Sequence, residues 1–158
     1  MRHEYPDATT VLFEVERVAS ILERDATATV ADWLSRVKRD EGVSRIVLND
    51  EERTVHLPKL IRELVHRLRV PRSLGTKQVS EAAVEHGIVR HSQGYSIPMI
   101  IEESRMLQVS IFQTLQTNQN VVDFSFLLND VTIIADEVDS QLRQAIVSFT
   151  ESAVATAA

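Results

Sequence analysis

Apolar residues recur every three or four positions along most of the chain, which is the spacing that places them on one face of an α-helix. The first such stretch runs from Thr9 or Thr10 to Arg24, and a threonine at its start can cap it. The second covers residues 27–40 and is followed by Gly42, a typical C-terminal cap. Both stretches are predicted to be helices, with Trp33 as a core anchor on the second.

Residues 43–55 interrupt this pattern. The apolar run at 44–48 would suit a strand, but an isolated strand without a partner is not stable. We therefore expect a linker or a short turn of helix. Asn49 or Asp50 can cap a brief helical turn over residues 51–54, where acidic side chains favour a helix start.

Prolines and glycines mark the ends of the next three helices. The pattern predicts these helices over residues 57–69, 77–93 and 97–117. Pro58 and Pro98 fall in first turns, where proline is well tolerated. Pro71 stops the first of the three, a loop containing Gly75 follows it, and Gly94 closes the second.

A last helix is predicted from Val121 almost to the end of the chain, after a polar break at 118–120. Its apolar stripe has heptad-like spacing and consists of Phe124, Leu128, Val131, Ala135, Val138, Leu142, Ala145 and Phe149. Leu127 and Ile134 widen the first half, as burial in a bundle requires. The second half narrows to a seam, and we expect this seam to be a dimer or signalling helix formed by Val138, Leu142, Ala145 and Phe149.

The number of turns encoded in the chain is small, because it contains only four glycines and four prolines in 158 residues. This length suits one domain. We predict an all-α bundle of five to six helices with a long C-terminal helix, for which a globin-like arrangement is one possible form. Residues 1–158 are interpreted as a single sensory or regulatory domain, the N-terminal part of a longer signalling protein.

Composition narrows the range of functions. The absence of cysteine excludes disulfides and thiolate metal sites and favours a reducing compartment. The first ten residues lack the apolar core of a signal peptide, and no apolar run approaches the roughly 20 residues needed to cross a bilayer. We therefore expect a cytoplasmic protein without a membrane partner.

Charge argues against nucleic acid as a partner, because the net charge is −6 and phosphate binding needs a basic surface. The charges are unevenly distributed. Residues 53–91 contain eight Lys and Arg against three acids, a balance of +5, and residues 121–158 contain six acids against one Arg, a balance of −5. This asymmetry suggests complementary faces within one chain or between two chains; an ordinary solvated surface is the alternative.

Polar residues continue an apolar stripe on the helix predicted over 77–93. The stripe begins with Val79, Ala82 and Ala83 and continues at spacings of three and four through His86, Arg90 and Gln93. Val84 and Ile88 form a second apolar face, so this helix should be central, with His86 and Arg90 near the interior. Gly87 would allow a neighbouring helix to approach closely, which explains a residue with low helix propensity at this position.

The helices on either side of Gly94 should be antiparallel, because only a few residues join them. Counting outward from the turn sets His86 level with Glu103 and brings Arg90 within reach of the same carboxylate. A buried arginine requires such a partner. We therefore predict a network of His86, Arg90 and Glu103 inside this hairpin.

Three roles for this network remain open. The first is a polar clip that fixes the register of the hairpin. The second is a site for a ligand or a conformational switch, and the third is part of a catalytic site. Catalysis is the least supported, because the sequence has no nucleophile-elbow motif and no glycine-rich phosphate loop. The residues predicted for a ligand or switch site are His86, Arg90, Gln93, Tyr95 and Glu103.

Metal and haem sites are alternatives that the histidines raise. Glu63 and His66 form one Glu-x-x-His unit, whereas di-iron bundles use two such units. His56, His66, His86 and His91 are each possible ligands. The polar neighbours of His86 argue against a haem pocket, and we predict no cofactor and no metal.

The block from His86 to Tyr95, HGIVRHSQGY, together with Glu103 and Leu107, resembles the RsbRD-type N-terminal domain. Trp33 and the helix start at Leu57 and Pro58 add weaker support. The resemblance spans nearly the whole chain, but Ser104 stands where the family often has an aromatic residue and Gln108 where it often has an arginine.

This family forms the N-terminal input domains of bacterial stress-response co-antagonist proteins and of some sensor histidine kinases. The resemblance implies a non-catalytic input domain in signal transduction that regulates an attached output domain or a partner protein. We also expect it to form a homodimer. The alternatives are a structural oligomerisation domain without a ligand and a haem- or metal-binding helical protein.

Overall fold

The computed structural model describes residues 14–70, 73–75 and 78–158 of the chain. Within these ranges the chain forms seven α-helices: α1 (Val18–Arg24), α2 (Ala26–Arg39), α3 (Asp50–Thr54), α4 (Leu57–Arg69), α5 (Glu81–Ser92), α6 (Ile97–Thr117) and α7 (Phe124–Ala157). A single turn of 3₁₀-helix, Val43–Arg45, lies between α2 and α3. The predicted all-α bundle with a long C-terminal helix is confirmed.

The helices α4 and α6 begin and end at the predicted residues, with proline in the first turn of each. As predicted, the segment 44–48 does not form a strand. The short helix α3 follows it and begins with a capping box. The Asn49 side chain accepts a hydrogen bond from the backbone N–H of Glu52 (2.8 Å), and the Glu52 carboxylate accepts one from the backbone N–H of Asn49 (2.8 Å). This reciprocal pair explains how a helix of five residues is held.

The predicted start of the first helix is wrong within the described residues. The chain is extended before Val18, and Glu16 pairs with the connection between α6 and α7. Its backbone N–H donates to Val121 and its carbonyl accepts from Asp123 at 2.8 Å. Thr9 and Thr10, the expected caps, lie outside the described residues. The pairing involves residues more than 100 positions apart, which helical periodicity cannot reveal.

The helix predicted over 77–93 begins later than expected, at Glu81. Ser80 caps it by accepting a hydrogen bond from the backbone N–H of Ala83 at 3.0 Å. Val79 therefore lies before the helix and is 77% exposed, so its place in the apolar stripe was wrong. Ile88 is also largely exposed, so the second apolar face of this helix is only partly buried.

The close approach expected at Gly87 is confirmed, and the neighbour is α7. A Cβ atom at Gly87 would overlap the carbonyl oxygen of Ala145 and the Oγ of Ser148. Ser148 Oγ also donates to the backbone carbonyl of Val84 at 2.9 Å. The two helices are thus packed backbone to backbone at this point, which only a glycine permits.

The predicted seam on α7 lies inside the chain. Val138, Ala145 and Phe149 are buried, and Leu142 packs against the core. Because α4, α5 and α6 pack against α7, these side chains contact the chain's own core and leave no exposed seam for a second copy. Their role in a signalling helix stays a prediction.

The stripe is also misplaced in the first half of α7. Phe124 is exposed and Leu128 is 81% exposed, whereas Asp130 points inward; the predicted burial of Ile134 is confirmed. No helix in the described part of the chain has the length and apolar character to cross a bilayer.

A buried polar cluster as candidate functional site

An ion pair between α5 and α6 is the centre of the candidate site. Arg90 Nε donates to Glu103 Oε2 at 3.1 Å. The arginine side chain is 0% exposed and the glutamate side chain 2%. The stripe on α5 places Arg90 inside the hairpin, and Gly94 closes the turn with a positive φ of 85° that suits glycine. The expected pairing of Arg90 with Glu103 is confirmed.

The remaining donors of Arg90 anchor the end of α3. Its two terminal nitrogens donate to the backbone carbonyls of Glu52 (3.3 Å) and Arg53 (2.7 Å), and one of them also donates to the Gln93 side chain at 2.7 Å. These carbonyls belong to the last turn of a short helix, where free acceptors and the helix dipole favour a cation. Arg90 therefore links α3, α5 and α6.

Tyr95 completes the shell around the carboxylate. Its hydroxyl donates to Glu103 Oε1 at 2.7 Å, and the Arg90 guanidinium lies over its ring, 4.6 Å from the centroid. Arg53, which is also buried, donates to the Tyr95 hydroxyl at 3.4 Å. Each carboxylate oxygen of Glu103 thus has its own donor.

Burial raises the pKa of Glu103, while the Arg90 charge and the Tyr95 hydrogen bond lower it in part. Burial and the neighbouring carboxylate also raise the pKa of Tyr95, so its hydroxyl stays protonated and remains a donor. Arg90 lies 3.1 Å from one carboxylate oxygen of Glu103 and the Tyr95 hydroxyl 2.7 Å from the other. The ionised form of Glu103 therefore has a hydrogen-bond donor for each oxygen.

Two buried imidazoles lie close to the same carboxylate. His86 Nε2 is 3.6 Å from Glu103 Oε2, which is longer than a hydrogen bond. The His86 ring stacks on His56, with the centroids 3.7 Å apart and an interplanar angle of 14°. The edge of Trp33 meets His56 at 5.9 Å, and its indole N–H donates to the backbone carbonyl of Glu103 at 3.0 Å.

Both imidazoles are held neutral by their surroundings. Burial, followed by the charge of Arg90, lowers the pKa of His86 to about 3. Burial, followed by His86 and Arg90, holds the pKa of His56 well below its usual value. The negative charge of Glu103 does not raise the pKa of His86 enough to offset the effect of burial, because Arg90 already neutralises that carboxylate.

A small cavity borders this cluster. Its volume is about 30 Å³. His56, His86 and Glu103 line one side. Apolar side chains from α4, α6 and α7 line much of the rest, among them Leu57, Leu60, Leu107, Val138 and Leu142. A cavity of this size accommodates a water molecule or an ion but not an organic molecule the size of benzene, which needs roughly 150 Å³.

The structure gathers all five residues of the predicted ligand or switch site, since Gln93 and Tyr95 contact Arg90 and Glu103 directly. Their role as a ligand or switch site stays a prediction. The sequence pattern did not place His56 beside them, because this residue precedes α4 and reaches the site only through tertiary packing. Its position just before the helix start at Leu57 and Pro58 gave no signal of burial.

The other candidate metal ligands lie apart from this cluster. His66 is exposed on α4, and Glu63 accepts a hydrogen bond from the Ser80 hydroxyl, so the Glu-x-x-His unit shows no convergence. His91 packs its ring edge-on against Phe149, with the centroids 5.1 Å apart. Within the described residues, a group of potential metal-ligand side chains occurs only at His56, His86 and Glu103.

Comparison of the chain with models of known protein families, with curated proteins and with solved structures finds no significant match.

Proposed function

We propose that this chain is a non-catalytic sensory or regulatory input domain in which the buried polar cluster is the sensing element and α7 is the output. The observation that carries the proposal is a shared cavity. Its lining includes His56, His86 and Glu103 of the cluster together with Val138, Gln141 and Leu142 of α7. A change in the cluster that alters the cavity therefore acts directly on α7.

The length and packing of α7 support its role as a relay. Its 34 residues correspond to about 50 Å, and it is the longest helix of the described residues. Its close packing on α5 at Gly87 leaves little freedom for the two helices to slide independently. A shift of α5 or of the cavity lining is then transmitted along a rigid element to the exposed end of α7 near Val154.

The resemblance to RsbRD-type domains supports the same class of function. On this proposal the output is a domain or partner protein of a bacterial stress-response or histidine-kinase system, the site of action is cytoplasmic, and the chain acts as a homodimer. The α7 seam is covered within the chain, so self-association would use other surfaces.

The rival interpretation is a structural domain in which the same cluster only fixes the register of the hairpin. Buried ion pairs occur in both kinds of protein. The two differ in one respect. A change in the cluster that leaves the bundle folded does not move the far end of α7 if the cluster is only a clip, whereas it does if the cluster is a sensor.

This difference is measurable by double electron–electron resonance. The chain contains no cysteine, so spin labels can be attached at cysteines introduced at Ala31 on α2 and Glu151 on α7, both exposed positions. Glu103→Gln removes the charge of the cluster while retaining its shape. We expect this substitution to shift or broaden the distance distribution between the labels.

The matched control is Glu102→Gln on the neighbouring residue of α6. Glu102 pairs with Arg105 at the surface, so this change removes the same charge outside the cluster. Circular dichroism of both variants checks that the bundle remains folded. Identical distance distributions for folded Glu103→Gln, folded Glu102→Gln and wild type would favour the structural clip and contradict the proposal.

A further inference from the structure

We propose that His56, His86 and Glu103 form a binding site for one divalent transition-metal ion of the zinc type. The site itself stands on the geometry below. Its role as the signal of the domain rests on the function proposed above.

The three side chains converge from three different segments. His56 immediately precedes α4, His86 lies on α5 and Glu103 on α6. One potential ligand atom from each lies within 4.8 Å of the others, and all three residues are buried. Bonds of about 2.1 Å in tetrahedral geometry place neighbouring ligand atoms roughly 3.4 Å apart, so the atoms need to approach by little more than 1 Å. One imidazole also has to turn, because the two rings are stacked.

The donor set selects the type of ion. Two imidazoles and one carboxylate suit zinc and its neighbours in the transition series, which favour nitrogen ligands. Calcium and magnesium prefer sites rich in oxygen, and a single carboxylate beside two imidazoles does not provide one.

The protonation states are those that a metal ion requires. Binding needs neutral imidazoles and an ionised carboxylate. Burial keeps both histidines neutral at ordinary pH. Arg90 and Tyr95 donate to the two oxygens of Glu103, which favours the ionised form and leaves lone pairs free on each oxygen.

An unpartnered ring nitrogen is the second, independent observation. His86 Nδ1 is buried and has no hydrogen-bond partner among the described residues, while Nε2 of the same ring lies 3.6 Å from Glu103 Oε2, so the orientation of the ring decides which nitrogen meets the ion. A buried polar atom without a partner is unfavourable, and such atoms commonly mark the place of a water molecule or an ion. The cavity of about 30 Å³ borders the same residue and offers room for an ion.

Arg90 and Tyr95 would act as the surrounding shell that orients the Glu103 carboxylate. The positive charge of Arg90 opposes a second cation, while the Glu103 charge and the carbonyls that Arg90 contacts offset part of this repulsion. The expected affinity is therefore lower than that of a permanent structural zinc site. A reversibly bound ion is what a sensing domain requires.

The stacked rings provide the coupling to α7. Imidazole lone pairs lie in the ring plane, so two rings that are nearly parallel do not direct their lone pairs at one point. Metal binding requires one ring to turn out of the stack into the cavity that α7 also lines. The ion would thus change the packing against Val138 and Leu142 directly.

The test is a titration of purified, chelator-treated protein with Co²⁺, followed by displacement with Zn²⁺. Cobalt bound by imidazole and carboxylate absorbs visibly, and we expect one equivalent to saturate the signal and zinc to remove it. His86→Gln and His56→Gln should each weaken binding by more than about tenfold, since even residues that only support a ligand contribute 10–100-fold. The matched control, His66→Gln on the exposed face of α4, should bind as wild type does.

A measurement on wild type alone guards against a variant that does not fold. Zinc in excess should raise the melting temperature of the wild-type chain, and a chelator should reverse the effect, because the ion binds only the folded state. The proposal is overturned if wild-type chain shows neither cobalt absorption nor a zinc-dependent melting temperature. It is equally overturned if folded His86→Gln binds cobalt as tightly as the His66→Gln control.

The spin-labelled pair at positions 31 and 151 separates this proposal from the proposed function. Zinc that binds at the cluster and shifts the distance supports both. Zinc that binds without any shift supports the site and counts against the sensing role. Absence of zinc binding, with a shift in Glu103→Gln, overturns the metal site and leaves the input-domain function supported.

Discussion

Glu102 and Glu103 are neighbours on α6, yet they lie in opposite environments. Glu102 points outward and pairs with Arg105 at 3.0 Å, and the side chain of Arg105 is 62% exposed. Glu103 points inward and pairs with Arg90 at 3.1 Å, with almost no exposure on either side chain. Arg105 donates to both oxygens of Glu102 and Arg90 to one oxygen of Glu103, so the outer pair has more hydrogen bonds and the inner pair far less contact with water.

This difference determines what each pair contributes. Water and counterions screen the outer pair, and such pairs contribute little to stability. The inner pair cannot be broken without leaving an unsolvated charge. The inner face of the α5–α6 hairpin is therefore sensitive to small chemical changes that the outer face tolerates, and this sensitivity is a property that a sensing element needs.

The largest effect is expected from Glu103→Gln. This substitution leaves Arg90 buried without its counter-charge, which should lower the free energy of unfolding by about 3–5 kcal/mol. Glu102→Gln should change it by less than about 0.5 kcal/mol, as is usual for the surface. Urea denaturation of both variants checks the contrast; equal losses would mean that burial does not distinguish the two carboxylates.

The second largest effect is expected from Gly87→Ala, which adds one methyl group on the inner face of α5. That group would overlap the carbonyl oxygen of Ala145 and the hydroxyl of Ser148, so α5 and α7 must move apart. We expect a loss of about 1–3 kcal/mol despite the better helix propensity of alanine. Ile88→Ala, at the next and largely exposed position, is the control and should have a much smaller effect. A stabilised Gly87→Ala variant would contradict the close packing.

Stability should also depend on pH through the buried histidines, tested on metal-free protein. The folded-state pKa of His86 is about 3, below the unfolded value of 6.5, so the unfolded chain binds a proton first as the pH falls. This contribution is fully present above the unfolded pKa and is lost as the pH falls through 6.5 toward 3. At pH 5 the loss from His86 alone amounts to roughly 2 kcal/mol.

Denaturant unfolding of wild type and His86→Gln between pH 7.5 and 5 measures this contribution. The substitution should flatten the pH dependence, because glutamine does not titrate in this range. The same slope in both proteins would show that His86 is not the group responsible.

The smallest effect is expected from Asn49→Ala. This substitution removes the N-terminal cap of α3, which lies at the protein surface. The loss should be about 1 kcal/mol. Because Arg90 donates to the carbonyls at the end of α3, this substitution tests whether the inner cluster depends on that short helix. A double-mutant cycle with Gln93→Ala measures the dependence, and strictly additive losses would show that the two are independent.

Local signals in the sequence predicted much of this arrangement. Proline in the first turns and apolar spacing placed α4 and α6 at their observed bounds. The spacing of polar residues about the turn at Gly94 also predicted that Arg90 would meet Glu103. Both inferences need only residues close together in the chain, for which helix geometry is a sufficient guide.

The predictions that were wrong, or that the sequence could not make, involve contacts between distant parts of the chain. The extended pairing of Glu16 with residues 121–123 shortened the first helix. In the first half of α7 Leu128 is exposed, and the buried Asp130 pairs with Arg17, more than 100 positions earlier in the chain. The stack of His56 on His86 joins positions 30 residues apart on different elements. None of these contacts leaves a periodic signal in the sequence.

The central claim is that the state of the buried cluster determines the position of α7. The most direct test is the distance distribution between spin labels at positions 31 and 151, compared in wild type, Glu103→Gln and Glu102→Gln. We predict an altered distribution for Glu103→Gln and an unchanged one for Glu102→Gln. Superimposable distributions in all three folded proteins would contradict it.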